Sequence, residues 1–299
     1  MSADGQAPRV SVLAEAAPRF GRVAIVGVGL IGGSVAAALR KRGLAVRIVG
    51  HSPADQHKAM ALDLLDEAAP SLEAAMEGAD VVVLAAPVSA IVETMPRLAG
   101  CLPPGAVLTD TGSTKRSIVE AAVDGLGARL SRFVPAHPIA GSERSGPGAA
   151  NADLFDGARV ILSPLPFTDE DALARVDAFW RSLGARTVSM PPDAHDRLLA
   201  AVSHLPHVVA FALARALAGR DDARDALRLA GGGLRDTSRI AASSPSLWAD
   251  ILVDNGDAVL TALRDYERAW KTFADAVEAG DRTRLAALIA EASDWRRRM

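Results

Sequence analysis

The chain has 299 residues, room for two domains, and 49% of them are hydrophobic against 23% charged, a balance that supports a large buried core. Its formal net charge of −3 makes no electrostatic case for a nucleic acid or an anionic membrane as partner. A single cysteine, Cys101, excludes an intramolecular disulfide and points to a reducing, cytoplasmic compartment; it reads as a small core residue.

No uninterrupted apolar run reaches the length of a transmembrane helix. Residues 1–19 carry Asp4, Arg9, Glu15 and Arg19, which break any signal-peptide core, so the segment reads as a flexible lead-in. From residue 22 a β-branched apolar run reads as a buried strand and breaks at Gly27-Val28-Gly29-Leu30-Ile31-Gly32; residues 34–41 are Ala-rich and helical in character. This is G-x-G-x-x-G between a strand and a helix. Gly27 permits the tight turn, Gly29 lets the backbone approach a pyrophosphate, and Gly32 lets helix pack on strand. The N–H groups that open the helix around Leu30 and Ile31 then hold the phosphate charge. A glycine-rich turn that binds nothing is the alternative, and the flanking strand and helix speak against it.

Residues 45–50 read as the second strand. Ser52, twenty residues after Gly32, stands where an NAD-binding fold usually places an acid on the ribose hydroxyls. The nearest carboxylate is Asp55 and no arginine follows at once, so NAD and NADP both stay open. Further strands are expected at 80–87, 106–110, 132–136 and 159–162. Helices are expected at 88–100, with Ile91, Val92, Met95 and Leu98 on one face, from about 116, and at 169–183. Strands and helices thus alternate to about residue 190, which predicts a doubly wound parallel sheet: a Rossmann-type, dinucleotide-binding domain over 20–190.

Beyond Pro191-Pro192 no strand pattern returns. Helices are expected at 194–218, from Pro245 with Ser244 as cap, at 257–279, and at 281–298 after a break at Gly280. Residues 191–299 therefore form an all-helical substrate and dimerisation domain, and analogy of fold suggests a homodimer.

Ligands of open α/β sheets sit at the carboxyl ends of the strands. Three segments end strands with polar residues there: 51–52, 110–115 and 137–143. His137 opens a Gly- and Ser-rich loop, and its near-neutral pKa suits removal of a hydroxyl proton as hydride leaves the same carbon; a histidine that merely caps a strand end is the plainer reading. His204 and His207 are neighbours on one helix face. A metal shared with His195 competes for them, although no cysteine or carboxylate completes a ligand set nearby in sequence. Pro206 is expected to kink that helix and tilt His207 toward the cleft. Lys115 reads as an aid to a helix start or a cofactor contact.

Five segments in this order, Gly27-Val-Gly-Leu-Ile-Gly32, Asp110-Thr-Gly-Ser-Thr-Lys115, His137-Pro-Ile-Ala-Gly-Ser-Glu143, Ser203-His-Leu-Pro-His207 and Leu234-Arg-Asp-Thr-Ser-Arg239, resemble the prephenate/arogenate dehydrogenase family of tyrosine biosynthesis. The resemblance implies oxidative decarboxylation of a cyclohexadienol, prephenate, arogenate or both, with NAD or NADP accepting the hydride. It places His137 on the ring hydroxyl and Ser113 where it orients that histidine and the nicotinamide. His207 and Arg239 would hold substrate carboxylate. Glu143 would gate the site by pairing with an arginine, and Ser142 would add a hydroxyl contact. Trp248 matches a family position near the pocket but reads as core. Two other classes remain: a β-hydroxyacid dehydrogenase, whose G-x-x-K-x-x-N lysine pattern is not found in the second domain, and a non-catalytic nucleotide-binding protein.

Overall fold

A computed structural model of the chain describes residues 19–142 and 144–299; the expected lead-in, apart from Arg19, and Glu143 lie outside the described residues. The first part alternates β1 (Phe20–Val26), α1 (Leu30–Arg42), β2 (Ala45–His51), α2 (Gln56–Ala61), β3 (Glu67–Ala68), α3 (Leu72–Met76), β4 (Val81–Leu84), α4 (Val88–Cys101), β5 (Val107–Asp110), α5 (Arg116–Gly125) and β6 (Phe133–Val134). These six strands form one sheet in the order β3-β2-β1-β4-β5-β6, parallel throughout. Successive side chains of a strand face opposite sides. Val23, Ile25, Val81, Val83 and Val107 accordingly pack into one apolar layer, and Ala24, Val26, Val82, Leu84 and Leu108 into the other. Both faces are covered, which explains why these strands read as continuous apolar runs rather than alternating ones. The chain reverses direction of winding between β1 and β4, and a crevice opens there at the carboxyl ends of the strands.

The alternation does not stay in one sheet to residue 190. A second sheet of three strands holds β7 (Ala136–Ile139), β8 (Arg159–Leu162) and β9 (Arg186–Ser189), with β7 antiparallel to β8 and β8 parallel to β9. Residues 132–136, expected as one strand, split at Pro135: Phe133 and Val134 pair with β5, while Ala136 pairs with Leu162. Proline has no N–H to give to a ladder, so the chain changes sheets there. The strand β9 is not legible because none of its four residues is buried. Helix α6 (Glu170–Ser182), capped by the Asp169 carboxylate on the Ala172 N–H at 3.0 Å, drives Val176, Phe179 and Trp180 into the core.

The remaining chain is helical among the described residues. Helix α7 (Pro192–Leu199) runs through a π-turn (Ala200–His204) into α8 (Leu205–Ala218), followed by α9 (Ala223–Arg228), α10 (Gly232–Ser238), a 3₁₀ turn (Arg239–Ala242), α11 (Pro245–Asp254), α12 (Gly256–Glu278) and α13 (Arg282–Arg296). The π-turn is how the helix absorbs Pro206, whose missing N–H would otherwise leave a gap in the ladder. Ser244 precedes α11 but does not cap it; its hydroxyl faces Ser246 at 3.3 Å. The expectation about apolar length also needs correction. The span Pro192–Ala218 is long and apolar enough by length and composition to cross a membrane, with mean hydropathy 1.5 over a window of which 22% is buried. His204, Pro206 and His207 interrupt any continuous run, so only the averaged pattern reveals it. Cys101 is half-buried rather than a core residue.

Candidate active site

The glycine turn does what its spacing requires. Gly27 has φ +89°, and a Cβ there would lie 2.6 Å from the Ala85 carbonyl oxygen across the β1–β4 crevice. A Cβ on Gly32 would lie 2.0 Å from the Gly27 carbonyl, so helix α1 seats directly on the turn. Gly29 has open space around it and begins α1 with no side-chain cap. The N–H groups at Leu30 and Ile31 are thus left to a ligand. They border a cleft of about 500 Å³ that also takes in Pro87, Ser113, Ser142 and Trp248. An open, anion-binding helix start against a β-strand crevice fits a dinucleotide pyrophosphate. Ser52 follows β2 and is buried; its carbonyl accepts the N–H groups of Asp55 and Gln56, so α2 begins where a ribose-binding acid would extend.

Behind Ser113 lies a polar hub. The Asp110 carboxylate, fully buried at the end of β5, accepts the N–H of Gly112 at 2.8 Å and of Ala136 at 3.0 Å. One group therefore ties the Gly112-Ser113 turn to strand β7. Lys115, also fully buried, pairs with Asp110 through Nζ. It is not available to a cofactor, contrary to one of the two expectations for it.

His137 sits within β7, paired with Ile161, rather than after a strand. Its Nδ1 is 2.8 Å from Nε2 of His195, and Nδ1 of His195 is 2.8 Å from the Asp196 carboxylate. Asp196 further accepts the N–H groups of Lys115 and Arg116 at 2.8 and 2.9 Å. The group expected to orient His137 was Ser113; among the described residues its hydroxyl makes no hydrogen bond to the imidazole, and His195 occupies that position. Burial, reinforced by His195 and Lys115, holds His137 well below the usual imidazole range. Burial does the same to His195, against the pull of Asp196. Asp196 is lowered: burial opposes its charge, but His195 and the two N–H donors prevail.

The row continues through the π-turn and the start of α8. His204 is buried, takes a hydrogen bond from Asn255 Nδ2 at 3.2 Å, and is pushed down to about 4, chiefly by burial. His207 donates from Nδ1 to the Ser203 carbonyl at 2.8 Å and stacks on Trp248 with ring centroids 3.6 Å apart. Burial and then the Arg239 charge lower it. Arg239 itself is exposed on its 3₁₀ turn. Ser113 and Ser142 line the cleft, whereas His137, His207 and Arg239 are not part of that lining; His207 joins it through Trp248. The sequence offers no site reading for Asp196 or Asn255, and offers His195 only as a candidate metal ligand. The only signal for them was His195 next to Asp196, which looks like an ordinary helix-surface pair until the fold brings β7 against it.

Two family models cover the chain in tandem. Residues 35–189 match the prephenate dehydrogenase nucleotide-binding domain, and residues 191–291 match the prephenate dehydrogenase dimerization domain. The chain belongs to the prephenate dehydrogenase family. Within it, the chain is 35% identical over 266 residues to the cyclohexadienyl dehydrogenase of Zymomonas mobilis, covering 88% of this chain and 90% of that one. It is 35% identical over 278 residues to the prephenate dehydrogenase of Bacillus subtilis, covering 92% of this chain and 75% of that one. A prephenate dehydrogenase from Aquifex aeolicus, crystallised with hydroxyphenyl propionate and NAD+, superimposes with a TM-score of 0.86 at 35% identity, covering 93% of this chain and 98% of that one. The boundary between the two matched regions falls where the strands end and the helical part of the chain begins.

Proposed function

We propose that this protein is a cytoplasmic, homodimeric prephenate dehydrogenase of tyrosine biosynthesis, converting prephenate to 4-hydroxyphenylpyruvate and CO₂ with NAD or NADP as oxidant. In this reading residues 20–190 bind the dinucleotide, and residues 191–299 complete the substrate site and the dimer. The observation that carries the chemistry is the hydrogen-bonded His137–His195–Asp196 chain, in which His195 and Asp196 are buried and His137 is half-buried.

When bound, the nicotinamide supplies the hydride acceptor. Gly27, Gly29, Leu30, Ile31 and Gly32 would hold its pyrophosphate and Ser52 would border the ribose, while Ser113 and Ser142 line the same cleft. His137 accepts the proton of the ring hydroxyl at Nε2, the nitrogen that does not face His195. A neutral imidazole is needed for that, and burial keeps His137 neutral at pH 7. Loss of the ring carboxylate as CO₂ then restores aromaticity. Arg239 offers a guanidinium fork to a substrate carboxylate, and Glu143 is the acid that the family resemblance assigns to gating. His207 gives its Nδ1–H to Ser203, so it donates to a carboxylate only from Nε2 and only once protonated. Substrate binding in this arrangement takes up a proton there.

A second reading, a cyclohexadienyl enzyme that also accepts arogenate, is favoured by the 35% identity to the Zymomonas mobilis relative. Both are tested by assaying prephenate and arogenate with NAD+ and NADP+. The His137→Ala variant should lose roughly two to four orders of magnitude in kcat, the usual worth of a lost acid–base group, while dinucleotide affinity holds. Unchanged turnover would remove His137 as the base. Turnover of arogenate at a comparable kcat/KM would favour the dual enzyme.

A further inference from the structure

We infer that His195 and Asp196 are positioning residues that fix the tautomer of His137, so that the nitrogen turned toward the substrate is the unprotonated one. The inference rests on the reading of His137 as the base.

The hydrogen-bond pattern leaves one consistent assignment. Asp196 is ionised and already accepts two backbone N–H groups, on Oδ1 from Lys115 and on Oδ2 from Arg116. A carboxylate so placed only accepts, so the His195 Nδ1 facing Oδ1 at 2.8 Å carries a hydrogen. A neutral His195 with its hydrogen on Nδ1 has a lone pair on Nε2. That lone pair faces Nδ1 of His137 at 2.8 Å, so Nδ1 of His137 carries the hydrogen and Nε2 has the lone pair. His137 is thereby set up to receive a proton at Nε2. When it does, the imidazolium keeps its Nδ1–H on His195, and the fixed negative charge of Asp196 lies two hydrogen bonds away. A histidine free to choose its tautomer would spend part of its time with a hydrogen on the working nitrogen, as in hydrolases whose orienting carboxylate has been neutralised.

Asp196 is itself held from three sides. It receives the start of α5 through Lys115 and Arg116, it sits on α7, and its carbonyl accepts the Asn255 amide at 2.8 Å. Lys115 is pinned by its buried pair with Asp110, and Asp110 also holds the N–H of Ala136, next to His137. The network therefore closes on itself around β7: Asp110 fixes the backbone at His137, and Asp196 fixes its ring. It spans both halves of the chain, because β5 and β7 precede residue 190 and α7 follows it.

The test joins kinetics to a direct view of the ring. The protein has six histidines, few enough to assign by ¹⁵N NMR on ¹⁵N-histidine-labelled protein with single-histidine variants. In the wild type at pH 7.5, His137 should show a protonated Nδ1 and an unprotonated Nε2. His195→Leu, which removes the acceptor, should convert His137 to a mixture of tautomers and lower kcat by roughly 10²–10⁴-fold with KM for substrate nearly unchanged. His195→Gln, whose amide oxygen still accepts, should recover most of both. A wild-type His137 with its hydrogen on Nε2 overturns the inference without any variant, so a failure of His195→Leu to fold does not protect it. Full kcat in His195→Leu also overturns it. If His137→Ala is itself fully active, the base assignment fails first; if His137→Ala is dead and His195→Leu is not, only the positioning role fails.

Discussion

Four histidines, at 137, 195, 204 and 207, all titrate below the ordinary imidazole value, and burial is the first cause each time. The unfolded chain takes up protons near pH 6.5, whereas the folded chain does not until the pH is lower. Below pH 6.5 the unfolded state therefore binds more protons, and stability falls as pH falls. His204, held at about 4, contributes about 3 kcal/mol to this loss by the time the pH reaches that value, at about 1.36 kcal/mol per unit. Urea midpoints measured from pH 7.5 to 4.5 should decline steadily below pH 6.5, and His204→Asn should flatten the slope by close to one proton. A midpoint that is constant across this range would contradict the burial of these rings. At this scale His137, His207 and Arg239 were legible because they stand in distinctive local segments. The place of His195 and Asp196 behind His137 was not, since a histidine beside an aspartate on a helix has no local mark of that role.

The glycine turn shows how far an element can be read in advance. Strand, turn and helix follow from the order of apolar, glycine and alanine residues alone, and the three glycines divide by their surroundings. Gly32→Ala would force a Cβ to 2.0 Å from the Gly27 carbonyl and should cost about 1–3 kcal/mol or more as overpacking against backbone. Gly29→Ala meets nothing within 4 Å; it should leave the melting temperature within about 2 °C while weakening dinucleotide binding at least tenfold. Melting curves and cofactor titrations of the pair should separate a packing glycine from a ligand-facing one, and equal losses of stability would merge the two roles. Elements failed to be legible where short strands lack buried residues, as in β3 and β9, and where Pro135 moves the chain between sheets. The π-turn before Pro206 was not legible either: proline announces a defect in the helix but not the form that absorbs it.

For the whole molecule, the helical half leaves apolar surface that its own core does not cover. Trp270 is 64% exposed and Val277 65%, and both border a nearly apolar groove of about 770 Å³ with Tyr266, Ala269 and Phe273 along α12. Together with the thinly buried span Pro192–Ala218, this is surface of the kind that an obligate dimer covers. Trp270→Glu should shift the protein toward a monomer in size-exclusion chromatography with light scattering and lower its melting temperature in a concentration-dependent way. A Trp270→Glu dimer of unchanged stability would move the interface elsewhere.

The amino-acid order by itself determined the glycine turn with its strand and helix, the passage from alternating to all-helical structure near residue 190, and the family to which the chain belongs. These depend on contacts between neighbours in sequence, where periodicity and turn chemistry act directly. Only the tertiary structure decided that β7 leaves the parallel sheet, that Lys115 is buried against Asp110, and that His195 and Asp196 stand behind His137. Asp110 and Lys115 are only five residues apart, and what the sequence does not show is their complete burial; the other two join distant stretches, and a hydrogen bond between residues 58 apart leaves no trace in local sequence.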